Sequence, residues 1–107
     1  MKVKFLKKPR LFNIGNVTLK DCGKILLNND EIVTFQTTSK KKYDFTSKEW
    51  GFYITSSINS RLKKEGFKIA LVKNKKGKIY LMAVEKEKKK NFNIYCVEQK
   101  LKILNWL

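Results

Sequence analysis

Phe67-Lys68-Ile69-Ala70-Leu71-Val72-Lys73, then Asn74-Lys75-Lys76-Gly77, then Lys78-Ile79-Tyr80-Leu81-Met82-Ala83-Val84-Glu85 is the stretch that decides the fold. Two apolar, β-favouring runs flank a polar turn whose glycine sits where a left-handed backbone is needed, which is the pattern of a hairpin. Residues 79–84 are apolar at every position, so this strand reads as central and covered on both faces. Two covers are therefore required. One is Ser56-Ser57-Ile58-Asn59-Ser60-Arg61-Leu62-Lys63-Lys64-Glu65-Gly66, with serine at the cap, Ile58 and Leu62 four apart, and glycine at the far end. The other is the stretch after a charged Lys86–Lys90 loop, where Phe92, Tyr95, Cys96 and Gln99 recur at helical spacing.

Upstream of this hairpin the period is two. Val3–Leu6 is a short strand that Pro9 ends, and Leu11–Ile14 is another before the Gly15-Asn16 turn. Residues 17–27 read as a hairpin turning at Asp21-Cys22-Gly23. Asn28-Asn29-Asp30 is a turn before the strand Ile32–Thr37, and Ser39–Lys42 is a basic turn leading to Tyr43-Asp44-Phe45. In residues 46–55, Ser47 is placed to cap a helical turn that Gly51 stops, the alternative being a loop that feeds a strand. Leu101–Leu107 closes the chain as a strand or a helix end. The expected fold class is α+β, a mainly antiparallel sheet of about five to seven short strands with two helices packed on it, in a single small basic domain over residues 1–107.

Composition supports a folded chain. Of 107 residues 42% are hydrophobic and 12% aromatic, with one proline and five glycines, too apolar a balance for disorder. No apolar run approaches the roughly 18–20 residues that cross a bilayer, and Met1–Pro9 breaks too soon for a signal-peptide apolar region. The expectation is a cytoplasmic protein with no membrane partner.

There is no histidine, which removes the usual general base and the commonest metal ligand. Cys22 and Cys96 stand far apart without a Cys-x-x-Cys pattern, so they are expected to be reduced and buried, with no metal site and no cofactor. Catalysis would have to run through Asp44, Glu49, Tyr53, a cysteine or a lysine. None has a spacing that demands chemistry, so the sequence favours a binding role over an enzymatic one.

The net charge is +16, from 25 basic residues against nine acidic ones, which points to a polyanionic partner, RNA or DNA. Only Arg10 and Arg61 are arginine, however, and isoleucine and asparagine appear nine times each, a skew toward AT-rich codons. The bidentate fork preferred for base and phosphate recognition is nearly missing.

Three groups of residues are candidates. Tyr43, Asp44, Trp50 and Tyr53 belong to an aromatic patch that could stack bases beside Lys40, Lys41 and Lys42, and the plainer reading is that its aromatics fill a core. Ser56, Ser57, Asn59 and Arg61 form a hydroxyl-rich helix start suited to a small anion, against plain capping with Arg61 paired to Asp44 or Glu49. Lys75, Lys76 and Lys78 join the lysine loops at 40–42, 73–78 and 86–90, which act together only if they share an edge. Beside nucleic-acid binding stands a homodimer through a sheet edge or the apolar Ile103–Leu107 terminus.

Overall fold

The computed structural model describes residues 1–107 as eight strands and two helices. The strands are β1 (Lys2–Ile14), β2 (Val17–Leu26), β3 (Ile32–Gln36), β4 (Lys42–Lys48), β5 (Gly51–Tyr53), β6 (Phe67–Lys73), β7 (Ile79–Glu85) and β8 (Lys102–Trp106). The helices are α1 (Arg61–Glu65) and α2 (Lys89–Glu98), the latter preceded by a 3-10 turn over Lys86–Lys88. All pairing is antiparallel, in three small sheets of order β1-β2, β3-β4-β5 and β7-β6-β8. The fold is therefore α+β as read, with its strands divided among three sheets rather than laid in one.

The hairpin at residues 67–85 forms around Asn74. Its Oδ1 accepts from the backbone N–H of Lys76 and of Lys78, each at 2.9 Å, and its carbonyl accepts from Gly77 at 3.1 Å. The centre of the sheet is β6, not β7, because β8 pairs with the other edge of β6 and sets Trp106 opposite Ala70. Phe67, Ile69, Ala70 and Val72 of β6 are buried, whereas Ile79 and Leu81 of β7 are 57% and 46% exposed. An all-apolar run marks a covered strand only if both its edges and both its faces are occupied, and β7 has one edge free. The Ile103–Leu107 terminus is no free tail: it makes β8, and Leu107 N–H donates to the Ile69 carbonyl at 2.8 Å.

The first expected helix is shorter than its pattern. Ser57 accepts from the N–H of Ser60 and of Leu62, so residues 57–60 form a turn and α1 keeps only five residues. Its inward residue, Leu62, is 1% exposed and packs with Phe67 and Ile69, against which Tyr43 leans. Gly66 ends it at φ 86°, a left-handed stop that a β-carbon would strain. Thr46–Lys48 complete β4 and a turn at residues 49–50 leads into β5, so neither the helical turn nor a loop over residues 46–48 forms, and only the strand that follows is as read. Lys86–Lys90, expected as a loop, is the 3-10 turn and the start of α2, whose Phe92 meets Trp106 edge-on at 5.7 Å and whose Cys96 is buried. Burial pushes the Cys96 thiol up, while Cys22, expected inside, is exposed.

Residues 2–26 depart furthest from the reading. They make one long two-stranded ribbon turning at Gly15-Asn16, not two short strands and a separate hairpin. Pro9 does not end the strand because it falls within a register shift, where Leu6–Pro9 face the single residue Cys22 and no ladder N–H is needed. Gly23 is part of that irregularity and no turn. Its φ is 149°, and a β-carbon there would run into the Lys4 carbonyl.

The core is small. Only eight of 107 residues are buried, and the radius of gyration is 15.3 Å, against about 13 Å expected of a compact chain this long. The ribbon is hydrogen-bonded to itself and tied to the rest by side chains at its two ends. Met1 pairs with Glu31 at 3.0 Å, and Gln99 Nε2 donates to Asn16 Oδ1 at 2.6 Å.

Candidate functional site

The tip of the ribbon, the β6–β7 turn and the end of α2 enclose a groove of about 490 Å³. Its floor is Tyr80 and Met82 of β7, Tyr95 of α2, Leu101 and Ile14. Lys75, Lys76, Lys78 and Lys100 line it, and no aspartate or glutamate does. A second depression adjoins it, sharing Asn74, Lys75 and Lys100 and adding Lys73 and Lys102, again without an acid. None of these six lysines makes an ion pair. Asn74 fixes the turn that presents three of them, and antiparallel pairing of Lys73 with Lys102 brings two chain-distant ammonium groups side by side. Like charges held together without counter-ions raise a local positive potential that an anion relieves. Beside them, Tyr80 and Tyr95 are partly exposed, at 43% and 36%, and offer flat apolar surface with a polar tip.

The three lysine loops do not share one edge. Lys40–Lys42 and Lys86–Lys88 meet: Lys88 Nζ donates to Ser39 Oγ at 2.6 Å and Lys41 Nζ lies 3.8 Å from Glu87. Lys42 N–H donates to Glu65 at 2.9 Å, and Lys86 N–H to the Gly66 carbonyl at 2.9 Å, so α1 binds both segments. This corner is partly neutralised by Glu65, Glu85 and Glu87. The Lys73–Lys78 turn is at the opposite end of β6, roughly 20 Å away by strand rise.

The aromatic patch is divided as well. Tyr43 is half-buried against the core, its hydroxyl donating to the Ile54 carbonyl at 2.6 Å and its ring 5.9 Å from Phe67, and burial pushes its pKa up. Trp50 is 67% exposed and meets Tyr53 edge-on at 5.3 Å. β4 separates this pair from Lys40–Lys42 by its full length, and the cation beside it, Lys48, is paired with Asp30.

At the expected helix start the polar groups answer one another. Asp44 accepts from Thr34 at 2.8 Å, from Ser56 at 3.1 Å and from Arg61 Nε at 3.1 Å. Arg61 also lies 3.7 Å from Glu65, and Ser57 Oγ accepts from the Arg61 N–H at 2.9 Å. Asn59 is exposed beside them. With its guanidinium between two carboxylates, Arg61 is neutralised within the fold.

Of the residues singled out from sequence, Lys75, Lys76 and Lys78 lie in the acid-free groove. Lys73 of the lysine loop at 73–78 lines the adjoining depression, whereas Tyr80, Tyr95, Lys100 and Lys102 were not singled out as site residues, since they come from separate elements and carry no motif. The only available signal was the recurrence of lysine at both ends of strands that pair. There is no group of three or more histidine, cysteine, aspartate or glutamate side chains placed to hold a metal ion, and no helix is long and apolar enough to cross a membrane. Against family models, curated proteins and solved structures, this chain finds no match.

Proposed function

We propose that the chain binds nucleic acid, RNA or DNA, at the groove between the ribbon tip, the β6–β7 turn and α2. The observation that supports this reading is the meeting of six unpaired lysines around a groove with two tyrosines in its floor and no carboxylate in its lining. Lysine ammonium groups neutralise phosphates without reading sequence, and release of counter-ions drives the association. Bases then stack on Tyr80 and Tyr95, which suits single strands, whose bases are free to leave the helix. Scarcity of arginine argues for weak sequence preference, as expected of point charges in place of planar forks. The reading is of one basic binding domain rather than an enzyme. A cytoplasmic setting accords with it, because an exposed free thiol such as Cys22 persists in a reducing compartment.

The test is anisotropy of a labelled oligonucleotide. With about four phosphates neutralised on a single strand, affinity should fall roughly fifty-fold between about 50 and 200 mM salt. Lys75→Ala and Lys100→Ala should each lower the salt slope by about one. Tyr95→Ala should cost about 1–3 kcal/mol with the slope unchanged. Affinity indifferent to salt, or equal in all variants, would remove the proposal.

A further inference from the structure

The two lysine-lined depressions lie on opposite sides of one sheet. Tyr80 is paired across the strands with Val72, and Lys102 with Lys73. Cross-strand partners share a face and successive residues of a strand alternate. Tyr80 in the groove and the paired Lys73 and Lys102 therefore point to opposite faces of the β7-β6-β8 sheet. The groove accordingly lacks Lys73 and Lys102, and the second depression, of about 350 Å³, lacks both tyrosines. They meet over the end of the sheet, where Asn74, Lys75 and Lys100 line both. Each of the two shared lysines is fixed by its backbone. Lys75 is in the turn that Asn74 closes, and Lys100 has φ 56° with its N–H donating to the Val97 carbonyl at 3.2 Å. Glycine takes that left-handed conformation freely and lysine only at a cost, so a cation stands where the backbone alone favours glycine.

The linings differ in chemistry as well as in side. Tyr80, Tyr95 and Met82 give the groove apolar surface on which a base can stack. In the second depression Leu104 is the one apolar residue, and the rest of the lining is Asn74 and four lysines. A base finds little to stack on there, and a phosphate finds cations. Resting on the nucleic-acid reading above, we infer that the ligand is a single strand that passes over the end of this sheet. Its bases occupy the tyrosine groove, and its backbone continues past Lys75 and Lys100 to phosphate contacts at Lys73 and Lys102. Stiffness selects this class of ligand. A double helix is rigid over about 150 base pairs, so it meets one face of the sheet or the other. A single strand turns within a few nucleotides and reaches both sets of lysines, each neutralised phosphate adding to the counter-ions released. A duplex also keeps its bases stacked on one another, away from Tyr80 and Tyr95.

Anisotropy of a labelled strand of about twelve nucleotides, alone and annealed to its complement, tests this on the unsubstituted chain. The single strand should bind at least about tenfold more tightly than the duplex at about 100 mM salt. Removing both far-side cations, Lys73→Gln with Lys102→Gln, should lower the salt slope for the strand by between about one and two. The control removes the same charge at the other end of β6, by Lys63→Gln with Lys64→Gln on exposed positions of α1, and should change the slope by less than half as much. A duplex bound as tightly as the strand, or equal slopes in the two double variants, would overturn the inference. Either result would leave Lys75→Ala and Tyr95→Ala to decide the groove itself, whereas failure of both strand and duplex to bind at low salt would remove the inference together with the reading it rests on.

Discussion

Asp44 shows how one side chain sets the local electrostatics. The hydrogen bond from Thr34 is the largest influence holding its carboxyl below its ordinary 3.8, with Arg61 and Ser56 adding to it and partial burial opposing. A carboxyl depressed in the folded state contributes stability that is complete above its unfolded pKa and disappears as pH falls through the folded value. Asp44→Asn is expected to cost about 1–2 kcal/mol at neutral pH. The difference from the unsubstituted chain should close as pH falls well below the ordinary 3.8, as thermal unfolding over a pH series would show. An equal difference at pH 2 and pH 7 would mean that packing, not charge, holds this residue. The pairing with Arg61 was open to sequence reading only as one alternative, since a separation of seventeen positions carries no spacing rule that links an acid to a base.

At the scale of elements, what the sequence made legible follows how locally each signal is encoded. The Asn74–Gly77 turn, the polar turn at residues 28–30, the Gly66 stop and the helical spacing of Phe92, Tyr95 and Cys96 are complete within a few residues, and each appears where it was read. Which strand occupies the middle of a sheet is not encoded so. β7 looked central on composition, but β8 arrives from twenty-nine positions beyond β6 and takes the second edge of that strand. Pro9 was misread for a similar reason, because a proline ends a strand only where its missing N–H is required. Within the ribbon, Gly23 has no permissible substitute. Gly23→Ala should loosen β1 and β2 by more than about 1 kcal/mol. Hydrogen exchange should show faster exchange there and unchanged protection in β6. Equal loss of protection in both sheets would mean that they unfold as one unit.

For the molecule as a whole, charge and shape act in the same direction. A chain of net charge +16 with few buried residues repels itself, and its seven salt bridges relieve little of that repulsion because most involve exposed groups. Raising salt from about 50 to 500 mM should therefore raise the midpoint of thermal unfolding by several degrees, by screening. A midpoint that falls would show that the ion pairs outweigh the repulsion. Net charge was plain in the composition, but its distribution was not. Lys73 and Lys102 are adjacent only through pairing of β6 with β8, and Tyr80 and Tyr95 share a groove only because α2 lies along β7.

The hydrogen bond between Asn16 and Gln99 joins positions 83 residues apart, and it ties one wall of the groove to the other. During synthesis the ribbon leaves the ribosome long before Gln99 exists, with its apolar side chains exposed to water. Assembly of the cleft must wait until residue 99 has been made. A chain stopped ahead of Gln99 would carry the ribbon with this tie missing and the groove unclosed, a product for proteases and chaperones to clear.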